Sequence, residues 1–108
     1  MDSNSKVFVA GHNGLVGSAI YRNLESKHYE NLYWVRRNNC DLRNKVQVDA
    51  YFEQSKPEYV FLAAAKVGGI GGNSTYPADF IYDNLMIQTN VIDAAYRNGV
   101  KKLLFLGS

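Results

Sequence analysis

Short apolar runs alternate along the chain with longer segments in which apolar residues recur at helical spacing. The apolar runs predict strands at residues 6–10, 32–35, 59–65 and 102–106, with a short further candidate at 39–42. The helical segments lie at residues 14–25, 44–54 and 77–98. The last of these has too many apolar positions for one narrow stripe, which predicts a largely buried helix.

The strands indicate the fold class. Their residues are nearly all apolar, as expected for strands that are covered on both faces. Alternation with helices then predicts an α/β fold with a Rossmann-type, doubly wound parallel sheet in the strand order 3-2-1-4-5. A length of 108 residues predicts one domain, residues 1–108. Because the last strand has no closing helix, we expect the N-terminal part of a larger protein, truncated before the remaining strands.

The turn between the first strand and the first helix contains the glycine pattern Gly-x-x-Gly-x-x-Gly. Gly11 would permit the tight turn, Gly14 would let a pyrophosphate approach the backbone, and Gly17 would let the helix pack on the sheet. The free N–H groups of the helix N-terminus would face the phosphates. The turn therefore predicts a dinucleotide site, and a purely structural turn is the alternative. Its residues are Gly11, His12, Asn13, Gly14, Leu15, Val16 and Gly17.

The end of the second strand distinguishes NAD from NADP. A carboxylate there would bond the ribose 2′-hydroxyl of NAD, whereas an arginine accommodates a 2′-phosphate. The strand ends in Arg36 and Arg37, so NADP is favoured, with two solvated arginines as the alternative. Asp41 lies slightly further on. Contact with the adenine and N-capping of the next helix are its two open roles.

Composition excludes several other classes of protein. Twelve Lys and Arg against ten Asp and Glu give a net charge of +2, too small a bias to indicate nucleic acid or a membrane surface. The single cysteine, Cys40, excludes an internal disulfide, and together with two histidines it forms no metal-ligand spacing. No apolar run is long enough for a signal peptide or a membrane span. We therefore expect a soluble cytoplasmic protein without a bound metal.

Three segments together resemble a known family. They are residues 9–20 around the glycine turn, residues 62–70 (LAAAKVGGI) and residues 102–108 (KLLFLGS). They are similar to the N-terminal part of the GDP-L-fucose synthases, which are extended short-chain dehydrogenases/reductases and NAD-dependent epimerases/dehydratases. Residues 75–82 (TYPADFIY) strengthen the likeness, and the LAAAKVGGI segment is its most specific part.

The resemblance implies an NADP-dependent enzyme that acts on GDP-4-keto-6-deoxy-mannose. Such enzymes epimerise the sugar at C3 and C5 and then reduce the C4 ketone with hydride from NADPH, forming GDP-L-fucose. The resemblance also implies a homodimer, a separate substrate domain and a catalytic serine at Ser108. The cofactor contacts that it implies beyond the turn lie between Arg37 and Leu42, including Asp41, and at the strand end with Leu106 and Gly107. Ala63, Ala64 and Ala65 would line the nicotinamide side of the cleft.

Two departures from the family pattern qualify this interpretation. Asn13 stands where some members have an arginine that helps hold the 2′-phosphate, which leaves Arg37, with Arg36, for that work. None of the eight tyrosines has a lysine four positions on, so the Tyr-x-x-x-Lys proton donor is absent from these residues. We therefore expect the chain to bind cofactor without turnover. The alternatives are part of another nucleotide-sugar epimerase or dehydratase, or a non-catalytic dinucleotide-sensing module.

Overall fold

Four parallel strands form one sheet, with helices on both of its faces. The structure is a computed structural model that describes residues 1–11, 14–63 and 77–106, with the backbone alone at 77–80. In chain order the elements are β1 (Lys6–Ala10), α1 (Leu15–Ser26), β2 (Asn31–Tyr33), α2 (Lys45–Ser55), β3 (Tyr59–Leu62), α3 (Pro77–Arg97) and β4 (Lys102–Phe105). The strand order is β2-β1-β3-β4. The second strand is therefore added on one side of β1, and the third and fourth strands are added on the other side.

The first strand, β1, lies inside the sheet. Val7 pairs with Leu32 of β2 on one side and with Tyr59 of β3 on the other. The residues from Val7 to Ala10 are completely buried. The apolar run predicted for a strand covered on both faces therefore has that environment.

Alternate residues of β1 belong to two separate apolar layers. Phe8 and Ala10 pack with residues of α2 and α3, including Val48, Phe52 and Val91. On the other face, Val7 and Val9 pack with α1 through Leu24. The largest buried rings, Phe8 and Phe52, meet edge to face with their centroids 5.6 Å apart, an arrangement that aromatic pairs favour.

The predicted fold class is confirmed, and the four strands lie in the predicted relative order. The predicted helices begin and end within one residue of the observed ones. The candidate short strand at residues 39–42 was wrong. There the N–H groups of Asn39 and Cys40 both donate to the carbonyl of Arg36, at 2.9 Å. These bonds close a local turn, and its backbone groups are thereby taken from any strand ladder.

The connection from β1 to α1 turns within a few residues. Gly11 has φ of 90°, in the left-handed region that side-chain-bearing residues avoid. The Gly14 N–H donates to the Gly11 carbonyl at 3.0 Å. Gly14 itself has φ of −81° and ψ of 174° as the N-cap of α1. A Cβ at position 14 would lie 3.5 Å from the Gly11 carbonyl oxygen, which is ordinary contact. The fold thus requires glycine at position 11 but leaves room for a side chain at position 14.

Helices α2 and α3 are joined by a surface network of four charged groups. Lys45 bonds to Asp49 at 2.9 Å and to Asp93 at 3.3 Å. Arg97 bonds to the same two carboxylates. These hydrogen bonds lower the pKa of both Asp49 and Asp93, Lys45 acting first on Asp49 and Arg97 first on Asp93. The network connects two helices that cover the same face of the sheet.

Serine substitution should separate the two glycines of the turn. Gly11→Ser should lower the free energy of unfolding by about 1–2 kcal/mol, because a Cβ is strained at positive φ. Gly14→Ser should leave it unchanged or raise it by a few tenths of a kcal/mol, because serine is a slightly better N-cap than glycine. Urea denaturation followed by circular dichroism measures both. Equal losses at the two positions would contradict this account of the turn.

The α2–α3 network should make stability depend on pH. The lowered pKa of Asp49 means that its stabilising contribution is present above its ordinary value of 3.8 and is lost as pH falls through the lower folded-state value. Asp49→Asn should therefore be less stable than the parent at pH 7, and the difference should shrink below pH 3.8 and vanish once the pH is below the folded-state pKa of Asp49. Glu53→Gln is the control, since Glu53 is exposed on the same helix and joins none of the ion pairs found among the described residues. A difference that persists at low pH would show that Asp49 acts through packing.

Candidate functional site

A cleft of about 630 Å³ opens at the carboxyl edge of the sheet, where the chain leaves β1 and β3. Parallel sheets bind ligands at this edge, at the point where the direction of strand addition reverses. The cleft is lined by three groups of residues: the turn into α1 with the start of that helix, the segment after β2, and a pair made up of the residue after β3 and one residue of α3. They are Gly11, Gly14, Leu15, Val16, Val35, Arg36, Arg37, Cys40, Asp41, Leu42, Arg43, Ala63 and Ile87.

The N-terminus of α1 forms one wall of the cleft. No side chain among the described residues caps it, and its first turn contains no acidic residue. Its first N–H groups therefore lack helical acceptors, and they carry the positive end of the helix dipole. Gly14 lines the cleft and is exposed, whereas Gly17 is buried within α1. This wall thus offers backbone donors with no side chain at the N-cap to cover them.

The segment after β2 brings two adjacent arginines to another part of the cleft lining. Arg36 and Arg37 are both exposed, and among the described residues neither joins an ion pair. The Arg36 guanidinium lies over the Trp34 ring, 5.2 Å from its centroid, a distance at which cation–π attraction operates. The Trp34 indole N–H donates to the Tyr21 hydroxyl at 3.1 Å. Arg36 is therefore steadied on an aromatic face.

Asp41 does not cap a helix. The N-cap of α2 is Asn44, whose side chain accepts from the Gln47 N–H at 3.1 Å. The carboxylate of Asp41 is instead bonded to the guanidinium of Arg43. These bonds hold the pKa of Asp41 below its ordinary value, with a smaller contribution from the charge of Arg37. The capping interpretation of Asp41 was wrong, and its contact with adenine stays a prediction.

Cys40 lines the cleft but is only 3% exposed. Burial raises the pKa of its thiol, and the charge of Asp41 raises it further. A raised thiol pKa disfavours the thiolate, which is the nucleophilic and metal-binding form. Within the described part of the chain, no group of three His, Cys, Asp or Glu side chains could hold a metal ion. Cys40 is thus a packing residue of the cleft wall.

Most of the predicted cofactor residues that the structure describes come together in this cleft. They are Gly11, Gly14, Leu15, Val16, Arg36, Arg37, Asp41, Leu42 and Ala63. Gly17 is not among the lining residues, nor is Leu106, whose N–H donates to the Leu62 carbonyl at 3.0 Å. The other predicted site residues lie outside the described residues: His12, Asn13, Ala64, Ala65, Gly107 and Ser108.

Four lining residues were not predicted as site residues: Val35, Cys40, Arg43 and Ile87. Val35 was interpreted as part of the second strand, but β2 ends at Tyr33, so Val35 lies in the segment that lines the cleft. Arg43 carries a recognisable signal, an opposite charge two residues from Asp41. Ile87 comes from α3, and only the packing of α3 beside the 40–43 segment brings it to the cleft.

The two walls suit a ligand that carries phosphates. Uncapped N–H groups at a helix N-terminus bind anions through hydrogen bonds and through the helix dipole. Arginine side chains bind phosphate bidentately through their planar guanidinium groups. The cleft has a volume typical of small-molecule sites. None of the described helices combines the length and the apolar character that crossing a membrane would require.

Known proteins are similar to nearly the whole of this chain. GDP-L-fucose synthase 1 of Arabidopsis thaliana is 60% identical over 107 residues, which cover 99% of this chain and 33% of the relative. GDP-L-fucose synthase of Escherichia coli K12 is 52% identical over 106 residues, covering 98% of this chain and 33% of that protein. This chain therefore spans about a third of the length of these relatives.

A solved structure is similar over nearly the whole chain. It is the GDP-mannoheptose C4 reductase from Campylobacter jejuni with NADP bound, with a TM-score of 0.89 and 47% identity. The match covers 97% of this chain and 33% of that one. The family model described as the NAD dependent epimerase/dehydratase family matches residues 7–108. This match covers almost every residue, and the chain belongs to the NAD dependent epimerase/dehydratase family.

Proposed function

We propose that this chain binds NADP in the cleft at the carboxyl edge of its sheet. The observation that carries the proposal is that one cleft is lined both by the start of α1, which no side chain among the described residues caps, and by two adjacent arginines. The relative from Campylobacter jejuni is described with NADP bound, and its similarity covers all of the elements that build these walls.

The α1 wall fits the pyrophosphate of the cofactor. Gly14 is the N-cap, and its missing side chain leaves the first turn of α1 open to the cleft. The fold does not need that space, because a Cβ at position 14 would meet only the Gly11 carbonyl at 3.5 Å. A close approach of the ligand is therefore the reason that we assign to Gly14.

The arginine wall fits the 2′-phosphate that distinguishes NADP from NAD. Arg36 and Arg37 carry two positive charges in the segment just after β2, where a carboxylate would select NAD. Arg36 is stacked on Trp34, so Arg37 is the more available partner for the phosphate. We assign the main 2′-phosphate contact to Arg37, since a guanidinium can donate two parallel hydrogen bonds to it.

We propose GDP-L-fucose synthesis as the activity of the protein to which these residues contribute. Two supports are the sequence resemblance and the 60% and 52% identity to GDP-L-fucose synthases of Arabidopsis thaliana and Escherichia coli. The bound cofactor would supply a hydride to C4 of GDP-4-keto-6-deoxy-mannose. Ser108 would hydrogen-bond the reacting carbonyl. The proton donors for epimerisation and reduction would come from residues beyond the 108 of this chain.

Reduction of a different GDP-sugar is the second candidate. The support is the similarity to the GDP-mannoheptose C4 reductase, at 47% identity and a TM-score of 0.89. Both candidates use the same dinucleotide site, so the described residues serve either. They differ in whether C3 and C5 of the sugar are epimerised.

We further propose that the protein is a cytoplasmic homodimer that binds no nucleic acid. The exposed face of α3 supports an interface, because it carries large apolar side chains at helical spacing. Ile81, Leu85, Ile92 and Tyr96 are 49%, 54%, 44% and 86% exposed. The net charge of +2 gives no basis for nucleic-acid binding.

Nucleotide binding should raise the melting temperature, and NADP⁺ should act more strongly than NAD⁺. A ligand at 100 times its dissociation constant adds about 2.7 kcal/mol to the free energy of unfolding. Thermal unfolding of the purified protein with matched concentrations of the two cofactors measures the preference. Equal shifts would contradict the assignment of the 2′-phosphate to the arginine wall.

Two variants separate the walls in the same assay. Gly14→Val should fold and lose binding of both cofactors, because its side chain covers the start of α1. Arg37→Met should weaken NADP⁺ roughly tenfold or more and leave NAD⁺ within about twofold, because only NADP⁺ carries the 2′-phosphate. Unchanged affinity in a folded Gly14→Val protein would refute the pyrophosphate site.

Deuterium incorporation should distinguish the two candidate activities. The test uses a protein in which this chain is continued to the length of its relatives, with GDP-4-keto-6-deoxy-mannose and NADPH in D₂O. Epimerisation removes the protons at C3 and C5 and returns solvent deuterons, so GDP-L-fucose should carry deuterium at both carbons. A reduced product without deuterium there would favour the C4 reductase. The 108-residue chain alone is the control, which should bind NADPH without oxidising it.

A further inference from the structure

Arg43 occupies both oxygens of the Asp41 carboxylate. Its backbone N–H and its Nε each donate to Oδ1 at 3.0 Å, and one terminal nitrogen donates to Oδ2 at 2.9 Å. Both residues line the cleft. Their side chains are only partly exposed, 33% for Arg43 and 25% for Asp41, so the solvent screens this pair less than a fully exposed one.

A second carboxylate, on helix α3, also binds the Arg43 guanidinium. Its other terminal nitrogen donates to Asp83 of α3 at 3.3 Å. Two turns further along α3, the Asn90 amide donates to the Leu42 carbonyl at 3.0 Å. The 41–43 segment is thereby tied to α3 at two points. Arg43 is thus held in place while it bonds Asp41.

Asp41 is the acidic residue that lines this cleft, and it shares the cleft with Arg36 and Arg37. The charge of Arg37 reaches the Asp41 carboxylate, since it contributes to lowering the pKa of that group. Without Arg43, the carboxylate would be free to attract Arg37 and to repel a 2′-phosphate. A carboxylate near this position is the feature that selects NAD in this architecture.

We propose that Arg43 is a specificity-determining positioning residue, which keeps the cleft selective for NADP by occupying the Asp41 carboxylate. The inference rests on the proposed NADP site and goes beyond it, because Arg43 acts without touching the 2′-phosphate. Arg43 leaves Arg37 available to the 2′-phosphate, and it neutralises the negative charge of Asp41 beside that phosphate. Neither the glycine pattern nor the arginine pair assigns this role to Arg43.

The test measures the dissociation constants of NADP⁺ and NAD⁺ by titration calorimetry on the purified protein. Arg43→Met should reduce the ratio of NAD⁺ to NADP⁺ dissociation constants roughly five- to tenfold, since an uncompensated carboxylate then faces the phosphate and Arg37. Arg43→Lys should keep most of the ratio, because it retains the positive charge beside Asp41. Arg43→Gln carries the same test if Arg43→Met does not fold.

A double variant shows whether the effect passes through Asp41. Asp41→Asn combined with Arg43→Met should restore the ratio to within about twofold of the parent, because no carboxylate remains to be neutralised. Asp83→Asn is the matched control, since it removes an anchor of Arg43 but leaves the Asp41 pair. It should alter stability more than the ratio.

Three results would overturn the proposal. Arg43→Met could weaken both cofactors by the same factor, which would show a purely structural role. The double variant could keep the reduced ratio of Arg43→Met, which would place the effect outside Asp41. A parent protein that binds neither nucleotide would refute the NADP site itself, and the role of Arg43 with it. The first two results leave the NADP site intact, so the two failures are distinguishable.

Discussion

The pairing of β1 with a parallel strand on each side is the constraint on which the site depends. Because β2 and β3 both run parallel to β1, all three strands end at the same edge of the sheet. Helix α1 leaves that edge along one face, whereas α2 and α3 pack on the other. The cleft opens where the chain changes direction, between the ends of β1 and β3. The complete burial of β1 from Val7 to Ala10 fixes that point with respect to both apolar layers.

Backbone geometry then sets what the cleft can offer. The positive φ of Gly11 turns the chain sharply enough for α1 to begin at Leu15. Gly14 leaves the N–H groups of that start uncovered. A helix end of this kind is stabilised more by a serine or aspartate cap than by glycine. The chain therefore forgoes capping energy at the place where a phosphate would supply it, which links cofactor binding to the stability of α1.

The local pattern of apolar and polar residues was enough to predict most helices and strands. It could not predict contacts between residues that are distant in the sequence. The apolar runs and helical spacing predicted the bounds of β1, α1 and α3 closely. The expectation that α3 is largely buried was wrong, because its apolar residues cover more than the face that packs on the sheet, and Ile81 and Leu85 are 49% and 54% exposed. The segment at 39–42 failed as a strand because its N–H groups bond locally to Arg36. The apolar residues Cys40 and Leu42 favour a strand in the sequence pattern, and that pattern contains no sign of the local turn.

The candidate site likewise contains residues that local sequence predicts and residues that only distant contacts reveal. Arg37 and the glycine turn were predictable, since a known architecture places them at strand ends. The capping role expected of Asp41 belongs to Asn44, because either residue type caps a helix equally well and only the geometry shows where the helix begins. The bond between Arg43 and Asp83 joins residues 40 positions apart, so no local pattern contains it.

The charged groups at the cleft are paired differently from those between α2 and α3. Between α2 and α3 the cations Lys45 and Arg97 share two carboxylates. At the cleft, Arg43 is similarly shared between Asp41 and Asp83, whereas Arg36 and Arg37 stand side by side with no ion pair of their own among the described residues. Two adjacent cations repel each other in the free protein, and that repulsion weakens when an anion binds between them. The two arginines thereby give a local excess of positive charge to the wall that would receive the 2′-phosphate. Because Arg43 neutralises the Asp41 carboxylate, that carboxylate does not cancel the positive charge of the two arginines.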